Sequence, residues 1–132
     1  MDQKLKVGIT QGDINGIGYE VILKVLEDNR MLELCTPIVY GSAKIAAAYR
    51  KTLQMPNVVF TQIRSAAEAR PDANNIINVV GEDVRPEPGV SSAEAGKAAF
   101  IALEQAVADL KQGEIDVLVT AQIGRASCRE RV

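Results

Sequence analysis

The chain has 132 residues, 47% of them apolar and 24% charged, with a formal net charge of −2; that is the length of one globular domain and too much apolar content for disorder. Its 15 basic residues against 17 acidic ones leave no cationic excess to hold nucleic-acid phosphates, and no apolar run approaches the roughly 18 residues of a membrane span. Histidine is absent and there are two cysteines, which excludes imidazole metal ligands, a histidine general base and a disulfide framework, so a cytoplasmic protein with no nucleic-acid or membrane partner is expected.

Residues 5–10, Leu-Lys-Val-Gly-Ile-Thr, alternate apolar with other side chains and run into a glycine-rich turn, the pattern of a first strand. Beyond the turn, Val21, Ile22, Val25 and Leu26 recur at helical spacing, which predicts a helix from Glu20 with Asn29 as its end. Residues 37–41 read as a short apolar strand closed by Gly41. Ser42 then caps a helix reaching Leu53, with Ile45, Ala46, Tyr49 and Leu53 on one face.

A short strand is predicted over 58–60, and 65–75 is read as a loop with at most one helical turn because Pro71 interrupts it. Strand 76–80 leads into a stiff connection containing Pro86 and Pro88. Ser91 or Ser92 starts the longest helix, which runs to about Gln112 and stops at Gly113. Its small-residue face holds Ala95, Ala98, Ala99, Ala102 and Ala106, with Phe100, Leu103, Val107 and Leu110 adding bulk. Residues 116–120 form a last strand, apolar enough to be buried on both faces. Strands alternating with helices predict an α/β fold with a mainly parallel sheet and flanking helices.

The tail stands apart. Residues 123–132, IGRASCRERV, are what the triplets ATC GGA AGA GCG TCG TGT AGG GAA AGA GTG encode, a string resembling a common sequencing adapter whose next triplet is a stop. The expected division is therefore 1–121 as native protein and 122–132 as adapter read-through, with only the first base of the Gln122 codon native. Without the tail the chain has 12 basic and 16 acidic residues, and Cys35 is its one native cysteine. An unpaired apolar strand at the end of such a truncated sheet is an aggregation hazard.

The densest signal for chemistry is residues 10–20, Thr-Gln-Gly-Asp-Ile-Asn-Gly-Ile-Gly-Tyr-Glu. Gly12, Gly16 and Gly18 between a strand and a helix permit tight turning and close backbone approach, beside a helix start with free N–H groups. Asp13 is placed to bind a hydroxyl or orient a cation. The spacing G-x-x-x-G-x-G is neither the dinucleotide fingerprint nor a Walker loop, so simple turn chemistry and a ligand loop both remain open. Ser91 with Glu94 has capping-box spacing, and Gly96 with the alanines suits close helix packing. Lys97 reads as a solvated charge and Cys35 as a structural thiol.

Taken in order, residues 9–13 with Gly16, Ile17, Gly18 and Glu20, then Ser92-Ala93-Glu94-Ala95-Gly96, then 116–121 resemble the 4-hydroxythreonine-4-phosphate dehydrogenases of the PdxA family. The resemblance covers 4–121, about the first third of such a subunit. Family members have prolines where this chain has Ile14 and Tyr19, and continue Thr120-Ala121 as Pro-Ile-Asn-Lys where this chain turns to Gln122.

The resemblance implies an isocitrate/isopropylmalate-dehydrogenase-like fold and a homodimer. It also implies NAD-dependent oxidation of 4-phosphooxy-L-threonine with loss of carbon dioxide, on the route to pyridoxal phosphate. A divalent metal bound by histidines would lie downstream of this chain, so no catalytic or metal residue carries over; Gly12, Asp13, Gly16 and Gly18 are kept as a candidate loop at the cleft. The alternatives are a sibling dehydrogenase of threonate or erythronate phosphate, and a non-catalytic anion- or nucleotide-binding module.

Overall fold

Five strands, β1 (Leu5–Thr10), β2 (Cys35–Gly41), β3 (Phe60–Ile63), β4 (Asn74–Asn78) and β5 (Val117–Thr120), form one sheet in the order β3-β4-β2-β1-β5, and every pairing is parallel. Helices α1 (Gly18–Leu26), α2 (Arg30–Leu34), α3 (Ala43–Thr52) and α4 (Ala93–Lys111) provide the crossovers. The computed structural model describes residues 5–11, 18–28, 30–55, 58–79 and 93–120. The predicted features at Asn29, Pro86, Pro88, Ser91 and Ser92, the side chains of Glu94 and Ala95, and the tail from Ala121 onward lie outside the described residues.

The sheet is covered on both faces. On one, Tyr19, Ile22, Leu23 and Leu26 of α1 and Ile45 and Ala46 of α3 pack on Val39 and Ile76. On the other, Ala102 and Ala106 of α4 and Ala66 of a single 3-10 turn (Ala66–Glu68) pack on Ile38, Tyr40, Ile63 and Ile77. β2 is central and every residue of it is buried. The segment between α4 and β5 also packs close on β1: a Cβ on Gly8 would come 2.6 Å from Ile115 Cδ1 and 3.1 Å from Tyr40 Cε1. A side chain there would have to displace the end of Ile115.

Local chemistry sets the helix ends. Ser42 Oγ accepts the Ile45 N–H (3.3 Å), as an N-cap should, and Gly113 closes α4 at φ +78°. The five-residue helix α2 is absent from the sequence-based reading. Its start is held by Asp28, whose carboxylate accepts from the Arg30 N–H (3.0 Å) and guanidinium (2.8 Å); those bonds hold the Asp28 carboxyl down at about 2.

Several boundaries move. α1 begins at Gly18, β2 at Cys35, and β3 runs 60–63 with Val58 and Val59 ahead of it. β4 begins two residues early, because Asn74 and Asn75 belong to the strand. The Asn75 amide donates to the carbonyls of Pro37 (3.0 Å), Arg70 (3.0 Å) and Ala73 (3.1 Å), so a polar residue replaces turn chemistry with a buried junction.

One burial expectation fails, at β5, and α4 turns two of its bulky side chains outward. Phe100 and Leu110 lie on the solvent side of α4, because its alanine face alone meets the sheet. β5 is not buried on both faces: Val117 and Val119 are 40% and 47% exposed, since among the described residues β5 pairs only with β1 and Leu118 is its one residue packed on a core cluster. Cys35 is buried, and its Sγ donates to the Met31 carbonyl at 3.4 Å, which agrees with a structural thiol.

Candidate functional site: the carboxyl edge at β1 and β5

The chain leaves β1 through α1 on one face and reaches β5 through α4 on the other. β1 and β5 therefore flank the point where the winding reverses, and open parallel sheets bind ligands in the crevice beyond the carboxyl ends at such a point. Thr10 and Thr120 are register partners there, about 4.8 Å apart as adjacent strands dictate. Thr10 is fully buried and its hydroxyl has no partner among the described residues, whereas Thr120 is exposed.

Next to Thr10 lies a cluster the sequence-based reading did not assemble. Gln11 and Tyr19 are both fully buried. The Tyr19 hydroxyl donates to Gln11 Oε1 (2.5 Å) and accepts the Ser42 N–H (3.0 Å), while Gln11 donates through its main chain to the Tyr40 carbonyl (3.1 Å). The Tyr19 ring stacks on Tyr49, centroids 5.5 Å apart. Burial pushes the Tyr19 phenol well above its ordinary range, partly opposed by the Ser42 N–H. Gly41 stands against this pair, and a Cβ on it would lie 2.8 Å from Gln11 Oε1.

Of the predicted loop residues, Gly18 is buried as the first residue of α1, beside this cluster, while Gly12, Asp13 and Gly16, like Ile14, lie outside the described residues. Tyr19 falls in the first turn of α1, a position that also accepts proline. The available signal for the cluster was Thr10-Gln11, a polar pair ending an apolar strand. Lys97 is exposed, as expected of a solvated charge.

A second polar group lies under α4. The Tyr40 hydroxyl donates to Asp109 Oδ2 (2.6 Å) and Gln105 Nε2 to Asp109 Oδ1 (3.3 Å), at one side of a hollow of about 240 Å³ also lined by Arg64, Ser65 and Asn78. Among the described residues no group of three or more Cys, Asp or Glu side chains is placed to hold a metal ion. No described helix is long and apolar enough to cross a membrane.

A parallel sheet wound in both directions from β1, with helices on its two faces, defines a doubly wound α/β domain. The chain belongs to the family described as pyridoxal phosphate biosynthetic protein PdxA, whose profile matches residues 33–131. A 4-hydroxythreonine-4-phosphate dehydrogenase from Bacteroides thetaiotaomicron is 48% identical over 124 residues, 94% of this chain and 34% of that protein. A Clostridium botulinum protein provisionally named D-threonate 4-phosphate dehydrogenase is 31% identical over 98% of this chain and 40% of its own length. The crystal structure of a 4-hydroxythreonine-4-phosphate dehydrogenase from Burkholderia phymatum superposes with a TM-score of 0.85 at 30% identity, covering 97% of this chain and 39% of that one. The chain thus spans between a third and two-fifths of the relatives it matches.

Proposed function

We propose that the chain is the N-terminal part of an NAD-dependent dehydrogenase with an isocitrate/isopropylmalate-dehydrogenase-like fold. Its reaction is oxidation of the secondary alcohol of 4-phosphooxy-L-threonine followed by loss of carbon dioxide, on the route to pyridoxal phosphate. The observation that carries this reading is the 48% identity to the Bacteroides enzyme, sustained over 94% of the chain. In this reading residues 1–121 are enzyme, 122–132 are adapter read-through, and the whole polypeptide is a cytoplasmic homodimer.

The residues described here do not fit the divalent metal that the family resemblance implies, since the chain has no histidine and no described carboxylate or thiol cluster. In this reading the metal ligands belong to the remaining length of a family polypeptide. What this chain supplies is the floor of the cleft. Thr10 is its buried base, Thr120 brings an exposed side chain toward a small phosphorylated substrate, the Gln11–Tyr19 pair closes the α1 side with Gly18 beside it, and Gly12, Asp13 and Gly16 are the further residues we assign to the cleft from the sequence.

A second substrate, D-threonate 4-phosphate, is favoured by the relatives that align over 98% of the chain. The test is NADH formation by the family-length gene product with each substrate. Faster turnover of 4-phosphooxy-L-threonine is expected, and preference for the threonate would overturn the substrate assignment. The 132-residue chain by itself is expected to form no NADH; metal-dependent turnover by it would overturn its assignment as a part.

A further inference from the structure

We propose that Tyr19 is a positioning residue: its hydroxyl is the central link of a one-directional hydrogen-bond strap that runs from Ser42 through Gln11 to Ala98 and fixes the carboxyl ends of β1 and β2. The proposal rests on the reading of this edge as the active cleft. Its direction follows from the groups involved. The Ala98 carbonyl can only accept, so the Gln11 amide must present Nε2 to it (3.4 Å) and turn Oε1 toward Tyr19. The Tyr19 hydroxyl must then donate to Oε1 (2.5 Å), which leaves its lone pair for the Ser42 N–H (3.0 Å).

Among the described residues the three bonds run in one sense between buried groups; aligned bonds of this kind polarise and strengthen one another. The strap joins four elements. Ser42 caps α3, Tyr19 lies in the first turn of α1, Gln11 directly follows β1, and Ala98 lies in the second turn of α4, buried in the same core cluster as Tyr19. Gly41 lets it pass, because any side chain there would meet both Tyr19 Oη and Gln11 Oε1. Directly alongside is Thr10, the buried hydroxyl at the reversal point, so the strap sets the position of the residue that floors the cleft.

The test is amide hydrogen exchange in the 132-residue chain. Tyr19→Phe keeps the ring and removes the hydroxyl, and it is expected to raise Ser42 exchange at least about 10-fold relative to the amides of β4. Tyr49→Leu removes the stacked ring and is expected to leave Ser42 protected. An unchanged Ser42 rate in Tyr19→Phe, or an equal loss of protection in Tyr49→Leu, would overturn the strap. In the unsubstituted protein the Tyr19 Oη proton is expected as a slowly exchanging hydroxyl resonance correlated with the Gln11 side chain; this readout holds even if Tyr19→Phe does not fold, and absence of the resonance is likewise contrary. None of these measurements uses activity, so failure of the strap leaves the dehydrogenase reading standing, and failure of that reading leaves the strap standing.

Discussion

Helices α3 and α4 end in the same backbone motif with different residues at its critical position. At the end of α3, Gln54 has φ +55°, its N–H donates to the Lys51 carbonyl (3.2 Å), and the Met55 N–H donates to the Arg50 carbonyl (2.9 Å). At the end of α4, Gly113 has φ +78°, its N–H donates to Leu110 (3.2 Å), and the Glu114 N–H donates to Asp109 (2.9 Å). Both are Schellman closures, which place a left-handed residue just past the helix. A left-handed backbone costs a non-glycine residue about 1–2 kcal/mol. Glycine avoids that cost but gives back about 0.5–1 kcal/mol through the greater freedom of the unfolded chain.

Gln54→Gly is therefore expected to stabilise by about 0.5–1 kcal/mol, and Gly113→Gln to destabilise by a similar amount. No atom lies within 4 Å of a Cβ placed on Gly113, so that cost is backbone conformation alone, without a clash. In a chain of this size each change corresponds to a melting shift of roughly 2–5 °C, readable by thermal unfolding followed by circular dichroism at low protein concentration. A Gln54→Gly protein no more stable than the parent, or a neutral Gly113→Gln, would refute the reasoning.

Further expectations concern the sheet faces. Among the described residues, Tyr40→Phe leaves the Asp109 carboxylate with the 3.3 Å bond from Gln105 alone, and it should cost about 1.5–3 kcal/mol in urea unfolding, so a change below about 0.5 kcal/mol would be contrary. Burial, reinforced by the bond to Asp109, raises the Tyr40 phenol above its ordinary value of about 10. Its contribution is therefore complete below about pH 10 and lost as pH rises beyond it, and Tyr40→Phe should flatten that alkaline decline, whereas equal slopes would be contrary. Gly8→Ala should destabilise by about 1–3 kcal/mol by pressing on Ile115 Cδ1, and Ile115→Val, which deletes that methyl, should recover part of the loss; an additive pair would contradict this contact. Val119→Lys puts a charge on an exposed apolar edge strand and should keep the protein monomeric to higher concentration in light scattering, with unchanged aggregation as the contrary result.

The α/β alternation was legible because each strand is bounded by a residue with one dominant local role: Gly41 with Ser42 after β2, Gly113 before β5. Ser42 and Gly113 act as their side-chain chemistry implies. What escaped was decided by contacts distant in sequence. Asn75 reads as a loop residue until the carbonyls it satisfies, Pro37 among them, are brought beside it. Phe100 and Leu110 add bulk to α4, but nothing local shows that the helix meets the sheet through its alanines and leaves them outside. At the site, Gly18 was recognisable from its place before a helix, but the Gln11–Tyr19–Ser42 cluster joins residues up to 31 positions apart and has no local pattern. The brevity of α2 also hides it, since one helical turn carries too little periodicity to detect and its start depends on an Asp28 bond.

The central claim, that residues 1–121 begin a longer dehydrogenase polypeptide, is tested most directly by the nucleotide sequence of the source gene across the codons for Ala121 and Gln122. The account predicts a frame that continues from Thr120-Ala121 into Pro-x-Asn-Lys and later supplies histidines. A genome that encodes IGRASCRERV followed by a stop would contradict it.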